Sequence, residues 1–421
     1  MLTAVVGINW GDEGKGRMVD LLSEQYDIIV RYQGGNNAGH TVINDKGMFV
    51  LNLLPSGILR ETTVNVLGNG MVVDIEHLCG EIAALREKGI AITPDNLKIS
   101  DKAIICLPYH KLLDELEEDR LGDAKFGSTR RGIAPVYADK YMKKAVRMAD
   151  LFSVSLDEKI EALVQWKNLT IQSYGSQQTN PAELCAWLKR YGEAVKPYVC
   201  DVAAFLSKAA EADKRILFEA QLGALRDIDF GIYPYTSSSS TIAAYAPIGA
   251  GIPGKKIDKV IGITKAYSSC VGEGPFTCEM FDENADRLRA AGGEYGAATG
   301  RPRRVGGFDV VATRYGVRVQ GADELVLTKL DILSYMETIP VCVAYDIDGE
   351  TTADFPSGDR LAQAKPIYTY LDGFQTDISK CRRPDDLPEK AMAYIKYIEK
   401  ALGCPIKMVS VGPKRDDYIV L

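Results

Sequence analysis

Apolar residues along this chain come in short runs, and the stretches between them carry helical spacing. Val, Ile and Leu dominate residues 3–8, 27–31, 63–67 and 96–100, and again 215–219, 259–264, 324–330, 341–347 and 405–410. Runs of that length, rich in β-branched side chains, predict buried strands. Two further runs, 41–43 and 48–53, flank Asn44-Asp-Lys-Gly47 and predict a hairpin. Between the runs the apolar period changes to three and four. Asp74 can cap a helix to about residue 88, with Leu78, Ile82 and Leu85 on one face, and 110–118 reads as another helix. Residues 139–214 are mostly helical and charged, with a break near 177–181. This alternation predicts an α/β fold: one large domain over residues 1–421, with a mostly parallel central sheet covered by helices. A mostly helical subdomain is expected as an insertion at about 100–214.

The polar stretches that follow strands carry the chemistry. Strand 3–8 runs into Trp10-Gly-Asp-Glu-Gly-Lys-Gly16 and then an amphipathic run. That arrangement aims backbone N–H groups and a helix N-terminus at one small volume, which suits phosphate. It is not a Walker A loop, because Lys15 is followed by Gly16 rather than Ser or Thr. Asp12 would repel phosphate unless a metal or proton lay between them, so it points to chemistry rather than docking alone. In Gly34-Gly-Asn-Asn-Ala-Gly-His-Thr41 a histidine sits among flexible glycines. His40 suits a general acid, or an imidazolium facing a developing oxyanion; taken in isolation, a histidine that merely hydrogen-bonds the turn is the commoner case. Gly127-Ser-Thr-Arg-Arg-Gly-Ile133 offers hydroxyls beside arginines, as an anion clamp or a solvated loop. Gly300-Arg-Pro-Arg-Arg304 is a dense basic run able to fork onto carboxylates or phosphates. Thr328-Lys-Leu-Asp331 follows an apolar strand and is similar to the Asn-Lys-x-Asp element that reads guanine. Ser410-Val-Gly-Pro413 closes the last strand.

Composition narrows the classes. Fifty basic against 57 acidic residues give a net charge of −7, which argues against broad nucleic-acid or membrane binding. Nine scattered cysteines, never spaced Cys-x-x-Cys, read as a reduced chain without structural zinc, and three histidines exclude a His-rich metal centre. No apolar run approaches the ~18 residues of a spanning helix, and a cytoplasmic protein is expected.

Taken in order, the segments 10–16, 34–41, 55–58, 68–70, 227–229, 265–267, 299–301, 328–331 and 412–413 resemble the adenylosuccinate synthetase family along nearly the whole chain. The resemblance implies a P-loop-NTPase-like fold and a GTP-dependent ligation of IMP and L-aspartate to adenylosuccinate through 6-phosphoryl-IMP. It implies Asp12 and His40 as the catalytic pair, and Mg²⁺ on the Asp12 carboxylate and the Gly39 carbonyl. GTP would meet Gly11, Asp12, Glu13, Gly14, Lys15, Gly16, Gly39, His40 and Thr41. It would also meet Arg303, Lys329, Leu330, Asp331, Ser410, Val411 and Gly412. IMP would meet Asp12, Lys15, Asn37, Ala38, Gly39, His40, Thr129, Gln221, Ser237 and Arg301. Lys143 of a homodimer partner would complete that pocket. Aspartate would meet Ala297, Ala298, Thr299, Gly300, Arg301 and Arg303. The chain departs from the family at Lys143 and Ser237, usually Arg and Thr, and at Arg130, usually Gly. Phe218-Glu-Ala-Gln-Leu-Gly223 reorders the usual Glu-Gly-Ala-Gln-Gly. These changes leave a different purine monophosphate open as substrate. A GTP-binding regulator without ligase activity is the reading from another class, and an intact Asp12 and His40 argue against it.

Overall fold

In the computed structural model, which describes residues 1–44, 47–295, 300 and 302–421, the chain is organised around a ten-stranded sheet. Its strands in chain order are Leu2–Gly7 (β1), Ile28–Arg31 (β2), Val64–Leu67 (β3), Leu97–Ser100 (β4), Val199–Cys200 (β5), Ile216–Glu219 (β6), Lys259–Lys265 (β7), Glu324–Thr328 (β8), Ile406–Ser410 (β9) and Tyr418–Val420 (β10). Across the sheet the order is β10-β9-β8-β7-β1-β6-β2-β3-β4-β5, and every pair is parallel except β9 with β10.

β1 shows why a near-continuous apolar run becomes the central strand. Ala4 and Val6 pack with Val202, Leu206, Ala243 and Ala246 on one face. Val5 packs with Met18 and Val19 of the helix Lys15–Leu22 on the other. A strand covered on both faces has no room for polar alternation. β1 lies between β6 and β7, where the winding of the sheet reverses, and open α/β sheets bind ligands beyond the strand ends at such a point.

Most strand expectations agree with the structure, and two differ. The run 324–330 ends as a strand at Thr328, because Lys329 takes a left-handed backbone (φ 60°) and the chain turns into the 3₁₀ segment Leu330–Tyr335. The run 341–347 lies in Thr338–Ile347, outside the main sheet, where it pairs antiparallel with Lys365–Asp372. No residue of that partner strand is fully buried, and Lys365, Tyr370 and Asp372 are exposed, so this second sheet is half solvated, which the Val-rich run alone did not reveal. The hairpin forms between His40–Asn44 and Gly47–Leu51. Asp74 caps Ile75–Glu87 by accepting from the His77 N–H (3.1 Å).

The helices Pro108–Leu121, Leu156–Ser173 and Pro181–Val195 share one apolar core with the sheet: Tyr109, Leu113, Ile160, Val164, Leu184 and Leu188 pack in the same cluster as Leu67, Leu97 and Ile99. Beneath this layer lies a buried polar triad. The Leu107 N–H donates to His110 Nδ1 (2.9 Å), so Nε2 carries the ring proton and donates it to Asp139 (3.0 Å); Lys167 pairs with the other carboxylate oxygen (2.5 Å). Burial holds His110 below the usual imidazole pKa and keeps it neutral, leaving Lys167 as the one cation that Asp139 balances. Removing one partner of a buried ion pair strands the other charge. Asp139→Ala should therefore lower stability by about 3–5 kcal/mol, measured as a shift of the urea-unfolding midpoint.

Candidate active site

The C-terminal ends of β1, β2, β6, β8 and β9 and the loops leaving them carry the Asp12, His40, Gln221, Lys329 and Ser410 segments. After β1, positive φ at Gly11 (105°), Asp12 (58°) and Gly14 (96°) coils the chain into a tight loop before the helix at Lys15. Glu13 turns inward: one carboxylate oxygen accepts from the Asn9 and Gly11 N–H groups (3.1 and 2.8 Å), and the other pairs with Lys15 (2.6 Å). The side chain expected at GTP thus braces the loop from inside, while Thr328 donates to the Glu13 carbonyl (2.7 Å) and ties the loop to β8. Asp12 points outward, a third exposed, and its partner among the described residues is the Arg303 guanidinium at 2.9 Å.

His40 opens its hairpin strand beside the first turn of the Lys15–Leu22 helix. Its Nε2 lies 2.8 Å from Ser56 Oγ and 3.5 Å from Glu219, which accepts from both the Ser56 hydroxyl and N–H (2.9 Å each). Arg31, fully buried, donates to the Asn52 carbonyl (2.6 Å), and its charge faces Glu219. Burial, then the charges of Arg31 and Lys15, pulls the His40 pKa down to about 3. About a fifth of the ring surface stays open to solvent and moderates that drop, but the direction leaves a neutral imidazole at pH 7. The imidazolium considered from the sequence is therefore not the state of the unliganded chain. A charge in this enclosure would have to be desolvated beside two cations.

Around the 34–39 loop, Gln221 donates to the Gly35 and Ala38 carbonyls (2.8 and 3.3 Å) and accepts from the Gly35 N–H (3.1 Å). The same N–H reaches Asn37 Oδ1 at 3.3 Å. Gly34, with φ 80°, has no space for a side chain, since a Cβ would lie 1.7 Å from Gln221. Gln33 donates to the Gln221 carbonyl and accepts from Ser239, which lies 3.3 Å from Ser237. Asn37, Ala38, Gln221 and Ser237 thus belong to one hydrogen-bonded patch. Thr129 and Lys143 do not join it; both are exposed. The segment around Thr129 is braced from the helix Pro108–Leu121, where Asp114 accepts from Ser128 and Gly132 and Glu118 from Phe126 and Gly127. Arg130, which stands for a family glycine, takes the left-handed backbone at φ 56° and pairs with Asp119 (2.6 Å). The backbone freedom of a glycine is thus used here by an arginine.

At the far edge, Lys329 donates to the Gly292 carbonyl and to Glu294 (2.7 Å each), and its N–H reaches Ser410 (3.3 Å). Arg17 donates to Ser410 Oγ (3.1 Å) and to the carbonyls of Gly412 (2.6 Å) and Asp417 (3.0 Å), and its charge faces Asp331. Leu330 is buried beneath this corner, and Val411 is anchored by its N–H on the Asp417 carbonyl (2.9 Å). Gly39 and Gly300 are exposed, whereas Ala297, Ala298, Thr299 and Arg301 lie outside the described residues.

Sequence reasoning missed Arg17, Arg31, Ser56, Glu219 and Glu294. Two of them carried a signal: Arg31 and Glu219 are charges on the last residue of otherwise apolar strands, β2 and β6, paired in register. A buried charge at a parallel strand's C-terminal end is expensive unless a site uses it.

An anion loop, an outward carboxylate and a Lys-x-Asp corner at the switch point of a parallel sheet define a nucleotide-using α/β enzyme. The sequence profile described as adenylosuccinate synthetase matches residues 4–419. An adenylosuccinate synthetase of Caldanaerobacter subterraneus subsp. tengcongensis is 45% identical over 423 residues, covering 100% of this chain and 99% of its own. A structure described as fully ligated adenylosuccinate synthetase from Plasmodium falciparum has a TM-score of 0.93 at 35% identity, covering 100% of this chain and 99% of that one. A cyanophage S-2L succinoaminodeoxyadenylate synthetase, 19% identical with a TM-score of 0.60 over 99% of this chain and 94% of that one, shares the fold. The chain belongs to the adenylosuccinate synthetase family. It is a GTP-dependent ligase of purine biosynthesis, joining IMP and L-aspartate into adenylosuccinate.

Two outcomes follow from the His40 enclosure. With three histidines in the chain, the imidazole signals can be followed separately by NMR. His40 should keep neutral-ring shifts from pH 8 down to pH 5, because lowering the pKa moves its titration below that window. At Gly16 a Cβ would meet the His40 ring at 2.1 Å. Gly16→Ala should move the His40 resonances, leave those of His77 and His110, and reduce turnover by about 10²-fold or more, the scale of a lost acid–base group.

Proposed function

We propose that Asp12 is the base of the ligation and His40 its hydrogen-bond donor at the transferring phosphoryl group. Asp12 takes the N1 proton of IMP, so that O6 attacks the γ-phosphorus of GTP. The O6–P bond forms as the bond to GDP breaks. The amine of L-aspartate then adds at C6 of 6-phosphoryl-IMP, loses a proton, and expels phosphate. The observation that carries this reading is the outward, partly exposed carboxylate of Asp12 in an anion loop whose other acid, Glu13, is folded inward. A loop that only docked phosphate would have no use for a free acid at its tip.

The donor set fits Mg²⁺. Asp12 offers a carboxylate and Gly39 a backbone carbonyl, both hard oxygens, and a guanidinium already stands on the carboxylate as a cation of the right sign. When bound, the ion supplies charge neutralisation at the phosphates. In this reading Gly11, Gly14, Lys15, Gly16 and Thr41 hold the GTP phosphates, with Arg303 beside them, and Lys329, Leu330, Asp331, Ser410, Val411 and Gly412 hold guanine. Asn37, Ala38, Thr129, Gln221, Ser237 and Arg301 hold IMP, and the 297–303 segment holds aspartate. Lys143 reaches the IMP site of a homodimer partner. Exposed Tyr141 and Met142 beside it support that face as the contact, since adjoining apolar side chains are commonly covered by a partner. A cytoplasmic location fits this purine chemistry, and among the described residues no helix is long and apolar enough to cross a membrane.

The test is a spectrophotometric assay with GTP, IMP and aspartate. Asp12→Ala should cut kcat by about 10²–10⁴-fold while leaving GTP binding largely intact, and chelation of divalent metal should stop turnover of the unaltered protein. Normal turnover in Asp12→Ala would sink the assignment. Replacing IMP by dGMP in the same assay should give little product; efficient turnover would move the specificity to the other purine.

A further inference from the structure

Behind the proposed nucleotide site lies a carboxylate that the reaction itself does not use. Glu294 follows Gly293, the left-handed cap (φ 58°) of the helix Glu283–Gly292, and is fully buried. It accepts from Lys265 (2.9 and 3.1 Å), Tyr267 (2.5 Å), Lys329 (2.7 Å) and Arg303 (2.9 Å). The backbone joins in, since the Arg303 N–H donates to the Glu294 carbonyl (2.9 Å). Arg303 is therefore gripped twice by Glu294 while its outer nitrogen rests on Asp12.

The partners differ in kind. Lys265 is almost fully buried and among the described residues donates to Glu294 and Ser269, so it is the inner counter-charge of Glu294. Lys329 and Arg303 are more exposed and reach Glu294 from the ligand side. Burial alone would raise the Glu294 carboxyl, but Lys265 and then Lys329 outweigh it and hold it far below the carboxylate range. Among the described residues three cations face two carboxylates, Glu294 and Asp12, so one positive charge is in excess, which favours an arriving polyphosphate or carboxylate. Among the described residues the Arg303 Nε has no hydrogen-bond partner. The acids that hold its other two guanidinium nitrogens are Asp12 and Glu294.

We propose that Glu294 is a positioning residue that fixes Lys329 and Arg303 together, so that the guanine corner and the aspartate-side arginine share one anchor. The inference rests on the roles given above to Lys329 and Arg303. Long cationic side chains lose much rotamer freedom on binding an anion, and an anchor that restricts them beforehand reduces that loss. Glu294 should therefore act on the KM values of GTP and aspartate and not on that of IMP.

Glu294→Gln alone would strand the buried charge of Lys265, so the decisive protein is Lys265→Met/Glu294→Gln, which removes the inner pair together and keeps an acceptor for Tyr267. Kinetics with each substrate varied, together with the thermal midpoint, are compared with Arg303→Met. The expected result is a rise of about tenfold or more in the KM of GTP and of aspartate in the double variant, with the KM of IMP within about twofold and the midpoint largely kept. Unchanged KM values with only a lower midpoint or fewer active sites would make Glu294 purely structural and overturn the proposal. If Arg303→Met raises the aspartate KM and the double variant does not, the anchor fails while the role of Arg303 stands. If Arg303→Met changes neither KM, the role of Arg303 fails and the proposal falls with it.

Discussion

The inward fold of Glu13 is the interaction on which the site depends. A carboxylate among backbone N–H groups is what an anion loop would otherwise reserve for phosphate, and here the chain supplies its own. It satisfies amides that a buried loop cannot leave unpaired, and it neutralises Lys15, which is nearly as buried. With Glu13 committed inward, the left-handed turn at Asp12 sends the neighbouring carboxylate out toward solvent. Two adjacent acids thus receive opposite environments from one loop geometry.

The same pairing of opposite charges recurs around the site. Glu219 faces Arg31 and holds Ser56 against His40; Glu294 gathers Lys265, Lys329 and Arg303; Arg17 spans Ser410 and Gly412 beside Asp331. In each case a buried or half-buried charge meets an opposite one within the protein. The groups closest to the proposed ligands are the more exposed members of these sets, so they can exchange an internal partner for a substrate with little cost to the core. The neutral state of His40 belongs to this pattern. A positive ring would have to be desolvated beside Arg31 and Lys15, and the nearby Glu219 already faces both of those cations.

The sequence by itself determined the strands of the parallel sheet, because burial on both faces needs unbroken apolar runs and such runs are visible without coordinates. It also determined the loops that matter, since glycine, asparagine and paired charges directly after those runs cannot be core. The family was legible from the order of these loops. Tertiary structure decided which partner each charge took. Nothing local says that Glu13 folds inward and Asp12 outward, that Arg130 occupies a left-handed position, or that the run at 341–347 leaves the main sheet for an antiparallel one. Glu294 lay unnoticed beside the basic run because its significance comes from Lys265 and Lys329, 29 and 35 residues away in sequence. Periodicity records which face of an element is buried, whereas an ion pair depends on distances between strands and loops that exist only once the sheet has closed.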